Sequence, residues 1–194
     1  MADDAVVRTF LAIDLPESLR KEIGKIQDYL RPLCRGVRWV RPEGIHLTLK
    51  FFGNLSGSEI RTASGVISRA AALTSPFSLG MGTPGVFPGI RRPRVLWIGV
   101  EGDTDALMDL QRKIERDLET VGFRRESRPF RPHLTLGRFR EPEKIDELER
   151  ALKGVADIRD TESFTASGLT LFKSDLKPGG AVYKSLEFFP FPGR

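Results

Sequence analysis

This 194-residue chain holds one cysteine and two histidines. A single cysteine, Cys34, excludes an intramolecular disulfide and fits a reducing cytosol. Two histidines and one distant cysteine make no evident three- or four-ligand zinc set, and no His-x-x-x-His or Cys-x-x-Cys spacing occurs. No glycine-rich loop runs into Lys-Ser/Thr, so no ATP dependence is expected. No apolar run approaches a membrane span, and the acidic start Met1-Ala2-Asp3-Asp4 lacks a signal-peptide pattern. Neither sign of charge dominates: 31 Lys and Arg stand against 26 Asp and Glu, a formal +5. That balance favours an anionic partner without specifying one. The expectation is a cytoplasmic monomer that needs no metal or cofactor. The 40% hydrophobic and 29% charged content is that of a globular chain.

What is present is a duplication. Both histidines lie in the same tetrapeptide, His46-Leu47-Thr48-Leu49 and His133-Leu134-Thr135-Leu136. Each alternates as a strand does, with the leucines on one face and His and Thr on the other. Residues two apart on a strand lie ~6.6 Å from one another. At that spacing an imidazole and a hydroxyl can reach oxygens of one tetrahedral anion. Histidine titrates near neutrality, so two of them can supply one acid and one base.

The surrounding pattern repeats as well. The histidines are 87 apart, and 87 back from Trp97 lands on Phe10. Arg8 to Ile13 reads as a buried strand. Pro16 opens a helix with the stripe Leu19, Ile23, Ile26 and Leu30. Val37 to Val40 is a short strand. The first histidine strand runs from Ile45 to about Phe52. Ser56 or Ser58 caps a helix carrying Ile60, Ala63, Ile67 and Ala70. Phe77 to Leu79 suggests a strand, Gly82 to Arg94 a loop, and Val95 to Val100 an apolar strand. Asp103 or Thr104 caps a helix with Leu107, Leu110, Ile114, Leu118 and Val121. The second histidine strand follows, then a helix begun by Pro142 with Ile145, Leu148 and Leu152. Phe164 to Phe172 and Ala181 to Phe189 read as a closing hairpin around Lys177-Pro178-Gly179-Gly180. Each half is strand, helix, histidine strand, helix. With no low-complexity linker between them, residues 1–194 are expected to form one two-lobed unit.

This layout resembles the two-histidine (2H) phosphoesterase superfamily, in its RNA 2′,3′-cyclic phosphodiesterase branch, also described as 2′-5′ RNA ligases. Arg8 to Ile13, His46 to Gly53, Pro93 to Gly99, Phe130 to Arg138 and the Gly180–Phe188 segment with Tyr183 carry the likeness. The resemblance implies an α+β, two-lobed duplicated unit, with antiparallel strands lining a central cleft and helices outside. It implies hydrolysis of RNA 2′,3′-cyclic phosphate ends to 2′-phosphates, with reversible 2′-5′ ligation an expected accompaniment. His46 would be the proton donor and His133 the acceptor. Thr48, Thr135 and Arg138 would hold phosphate, and Phe51 would contact a base. Strict alternation turns both Phe51 and Arg138 away from the cleft. A bulge near Gly137 could re-aim Arg138; no comparable signal supports Phe51, for which core packing is as good a reading. Arg91-Arg92-Pro93-Arg94 could attract an RNA backbone but reads better as a solvated charge run, with Phe87 and Pro88 available to stack on a base. The competing readings are a noncatalytic nucleotide- or RNA-binding module and a phosphodiesterase for a small cyclic phosphate such as that of ADP-ribose.

Overall fold

The computed structural model describes residues 6–141, 144–158, 163–177 and 180–193. In chain order the strands are β1 (Val7–Ile13), β2 (Val37–Trp39), β3 (Leu47–Leu55), β4 (Phe77–Phe87), β5 (Val95–Gly102), β6 (His133–Phe139), β7 (Ser163–Ala166), β8 (Gly168–Lys177) and β9 (Gly180–Pro190). The helices are α1 (Glu17–Leu30), α2 (Gly57–Ala72), α3 (Thr104–Glu119) and α4 (Ile145–Gly154). Two antiparallel sheets result, in the orders β3-β1-β8-β9 and β2-β6-β5-β4-β7. The expected α+β class with antiparallel strands is therefore observed.

The helices form where the apolar period demands them. Leu19, Ile23, Ile26 and Leu30 of α1 are all buried. Ser56 begins α2 with a reciprocal capping box, its hydroxyl accepting from the Glu59 N–H while the Glu59 carboxylate accepts from the Ser56 N–H. Asp103 precedes α3, yet its carboxylate does not cap the helix; it accepts from the Ser78 N–H at 2.8 Å and ties α3 to β4. The α3 stripe differs from a purely apolar one. Gln111 and Glu115 are buried within it, and Val121 lies beyond its end, exposed. Cys34 is buried in the apolar core. Pro142, the expected start of α4, and the Pro178-Gly179 turn lie outside the described residues.

Three strand expectations are corrected. His46 stands immediately before β3 rather than within it. The Gly82–Arg94 loop is shorter than its composition suggests, because β4 continues to Phe87. Its glycine at 85 serves close packing: a Cβ there would lie 2.4 Å from the Trp97 ring. Phe164 to Phe172 is not one strand. The chain leaves the second sheet after Ala166 and enters the first at Gly168.

The duplication is legible in the topology. The run β1-α1-β3-α2 parallels β5-α3-β6-α4, and β8 and β4 occupy the matching places beside β1 and β5. β2 belongs by sequence to the first half and pairs with β6 of the second, so the halves interlock. The registers differ by two residues, however. Thr48 faces Ala12, whereas Thr135 faces Trp97. Trp97 thus holds the strand position of Ala12 and not of Phe10.

Candidate active site

His46 enters a pocket of aromatic rings. Phe10 stacks on it at 4.5 Å, Tyr183 meets it edge-on at 5.0 Å, and Phe172 lies 5.9 Å away. Burial pushes the imidazole down from its ordinary 6.5 to about 4; a hydrogen bond to the Gly44 backbone and the Asp14 charge oppose this, and Arg20 adds to it. Asp14 and Arg20 are themselves an ion pair.

His133 has a parallel but looser setting. Phe87 meets it edge-on at 5.1 Å, with Trp97 at 6.4 Å and stacked on Phe87. Its Nδ1 lies 2.7 Å from the Arg131 carbonyl. The ring is also held below its ordinary range, by burial first and by the Arg138 guanidinium after it, against the Arg131 bond. Each histidine therefore uses a backbone group two residues upstream, Gly44 or Arg131, to orient its ring. With Nδ1 of His133 committed to that carbonyl, Nε2 is left for chemistry.

Both histidine strands break alternation at the same place. In β3, Thr48 pairs with Ala12 and Lys50 with Leu11, which leaves Leu49 unpaired. In β6, Thr135 pairs with Trp97 and Gly137 with Leu96, which leaves Leu136 unpaired. These are β-bulges 87 residues apart, one in each copy. After the bulge the faces exchange. Lys50 and Gly137 turn inward, while Phe51 and Arg138 return to the face of Thr48 and Thr135. Gly137 is required there, since a Cβ would lie 2.4 Å from Val37 and 3.0 Å from the Arg38 carbonyl. Phe51 is accordingly no core residue: it is 57% exposed and lies 5.9 Å from Phe10.

The unpaired leucines have carbonyls that receive side-chain donors from the helices. Gln27 of α1 donates to Leu136 at 3.0 Å and to Val40 at 2.7 Å. Gln111 of α3 donates to Leu49 at 3.4 Å. Beneath β3, Lys50 forms a buried ion pair with Glu115 at 3.0 Å and donates to the Arg124 carbonyl at 2.9 Å. Glu115 also accepts from the Glu126 N–H. The pair thereby pins the arginine-rich segment that leads to His133.

Of the residues read from sequence, His46, Thr48 and Phe51 belong to the first sheet side and His133, Thr135 and Arg138 to the second. β3 and β6 are in contact where the sheets meet. Phe87 ends β4 rather than lying in a loop, and its half-buried ring stacks on Trp97 and meets His133 edge-on. The side chains of Arg91, Arg92 and Arg94 are exposed, although the Arg94 backbone is tied to Phe87 and Phe139. Sequence reasoning missed Phe172 and Asp14, both beside His46. Their contacts depend on strands and loops distant in the chain. Among the described residues, no three His, Cys, Asp or Glu side chains come together as a metal-ligand group, and no helix is long and apolar enough to cross a membrane.

Comparison with known proteins bears on this geometry. An RNA 2′,3′-cyclic phosphodiesterase of Methanothermobacter thermautotrophicus is 37% identical over 183 residues, covering 94% of this chain and 98% of that one. The protein of the same name from Thermotoga maritima is 33% identical, with 96% and 97% covered. Among solved structures, a Thermus thermophilus protein superposes with a TM-score of 0.80 at 29% identity, and E. coli LigT complexed with 3′-AMP with 0.76 at 26%; in both, 96% of this chain and 98% of the other are covered. Residues 15–178 match the 2′-5′ RNA ligase superfamily, and the chain belongs to it.

Proposed function

We propose that this chain hydrolyses RNA 2′,3′-cyclic phosphate ends to 2′-phosphate ends, within one two-lobed unit. The observation that carries the reading is the paired His-x-Thr strand, each copy with an oriented imidazole and a bulge that returns the next exposed side chain to the threonine face. The curated relatives' names support the substrate class.

In this reading the cyclic phosphate lies between the two histidines. His133 takes a proton from water as the water oxygen bonds to phosphorus. The P–O3′ bond breaks in line, and His46 protonates the departing 3′ oxygen. Thr48, Thr135 and Arg138 hold the non-bridging oxygens and offset the developing charge. Phe51 offers an exposed ring for a base. With an RNA 5′-hydroxyl in place of water, the same steps form a 2′-5′ linkage.

The burial of His46 imposes one condition. A donor pushed down to about 4 is neutral at pH 7. His46 then gains its proton only when the substrate's negative charge enters the pocket and raises its affinity for it.

The test is product analysis on a defined RNA ending in a 2′,3′-cyclic phosphate, in EDTA, beside a small cyclic phosphate. A 2′-phosphate end formed without added metal is expected. A 3′-phosphate product reverses the bond assignment. Binding without turnover leaves a noncatalytic module, and turnover of the small substrate alone replaces RNA as the substrate.

A further inference from the structure

We infer that Arg38, the cross-strand neighbour of Arg138, forms a second anion site in the cleft, for the phosphodiester one nucleotide upstream of the cyclic phosphate. The inference rests on the proposed RNA substrate and specifies how much of it is gripped.

Arg38 lies on β2 directly opposite Arg138 on β6. Cross-strand partners have Cα atoms ~5 Å apart and side chains on one face. That face is the one shared by Thr135 and Trp97, since the next pair in the ladder is Arg138 with Val95 and the next on this face is Thr135 with Trp97. Like charges placed directly opposite destabilise a sheet. Here neither arginine has an acidic partner among the described residues. Both are exposed. Ordinary folding therefore gives no reason for the pair, while two adjacent oxyanions would neutralise it.

The direction of Arg38 is informative. A Cβ placed on Gly180 would lie 3.6 Å from Arg38 Nη2, so the guanidinium spans from the second sheet to the start of β9 in the first. Gly180 lies on β9 three residues before Tyr183, whose ring meets His46. Arg138, for its part, is close enough to His133 to depress its protonation. One arginine thus serves the reacting phosphate, and its neighbour extends the positive track along the cleft. A backbone phosphate can take both N–H groups of a guanidinium fork. A mononucleotide has nothing to offer the second site.

Calorimetric titration of the unmodified chain, Arg38→Ala and Arg38→Lys tests this, with two product probes. One is adenosine 2′-monophosphate; the other is adenylyl-adenosine with a terminal 2′-phosphate. The unmodified chain is expected to favour the dinucleotide by about tenfold or more, the scale of a charged hydrogen bond. Arg38→Ala should weaken the dinucleotide about tenfold more than the mononucleotide. Its slope of log affinity against log salt should fall by about 0.7, one phosphate contact to a single strand. Arg38→Lys should recover the slope and only part of the affinity. Melting curves verify that the variants fold, and Arg38→Gln replaces Arg38→Ala if that variant does not. Equal loss for both probes moves Arg38 to the terminal phosphate and overturns the inference. So does no loss for either. Normal product binding without turnover of the cyclic substrate rejects the hydrolytic reading while leaving the second site intact.

Discussion

The two histidine strands share a tetrapeptide and a bulge, yet they stand in different electrostatic surroundings. His46 is enclosed by Phe10, Phe172 and Tyr183, with the Lys50–Glu115 ion pair behind its strand. His133 touches Phe87 and Trp97 and feels the open charge of Arg138. At the position of Lys50 the second copy has Gly137; at that of Phe51 it has Arg138. The two copies have equivalent backbones, and the side chains beside them give the two histidines different surroundings. One sheet offers an exposed ring in Phe51, the other an exposed guanidinium in Arg138.

The largest expected effect breaks the pair altogether. His46→Ala and His133→Ala should each lose at least ~100-fold in turnover, the scale of acid–base assistance. A substrate with a better leaving group should rescue His46→Ala more than His133→Ala. Rescue in the opposite order would exchange donor and acceptor.

Next comes the Lys50–Glu115 ion pair, which Gly137 cannot match in the second copy. Glu115→Ala leaves Lys50 charged and buried, which should cost about 3–5 kcal/mol in urea or thermal unfolding. The double change Lys50→Met with Glu115→Leu should recover most of it. A double variant as unstable as the single would mean that the pair is needed for more than charge balance, including its hold on Arg124 and Glu126.

Proton affinity provides a third comparison. The unfolded chain protonates His46 near 6.5 and the folded chain near 4. The folded pKa is the lower one, so the unfolded state binds the proton first as pH falls. Stability should drop by about 3 kcal/mol across that window, and His46→Phe should flatten the loss. His133→Phe should flatten it less. In kinetics, kcat/KM reports the free enzyme, so its bell should lie on the acid side of 6.5, while kcat reports the complex and should shift to higher pH. The limbs belong to the coupled pair. Superimposable profiles would mean that bound phosphate does not raise the pair.

The smallest effects separate the residues that follow the bulges. Phe51→Ala should weaken nucleotide binding about tenfold, with little salt dependence. Arg138→Lys should weaken phosphate binding by a similar factor, with a loss that varies with salt. Thr48→Val and Thr135→Val should each cost about 1 kcal/mol of phosphate affinity. Identical salt responses for Phe51→Ala and Arg138→Lys would erase the distinction between the lobes.

Much of this was legible before any coordinates. Local periodicity carried the helices, because Leu19, Ile23, Ile26 and Leu30 have one way to be buried together. The capping of α2 needed only Ser56 and Glu59, three residues apart. The paired His-x-Thr pattern named His46, Thr48, His133 and Thr135, since alternation is a property of a strand alone. Alternation also pointed Phe51 and Arg138 the wrong way, and the bulge foreseen near Gly137 explained Arg138 only.

Tertiary structure decided the rest. Bulges at Leu49 and Leu136 exist only relative to the strands they pair with, and the carbonyls of these leucines receive side-chain donors from Gln111 and Gln27, far away in sequence. The switch of sheets after Ala166 and the length of β4 are likewise matters of partners. So is the alignment of Arg38 with Arg138, a hundred residues apart. Apolar spacing and turn chemistry act over a few residues, so the sequence by itself could determine most of the elements and name the candidate site residues. Strand register and shared burial act across the whole chain, so only the folded protein could decide which side chains meet.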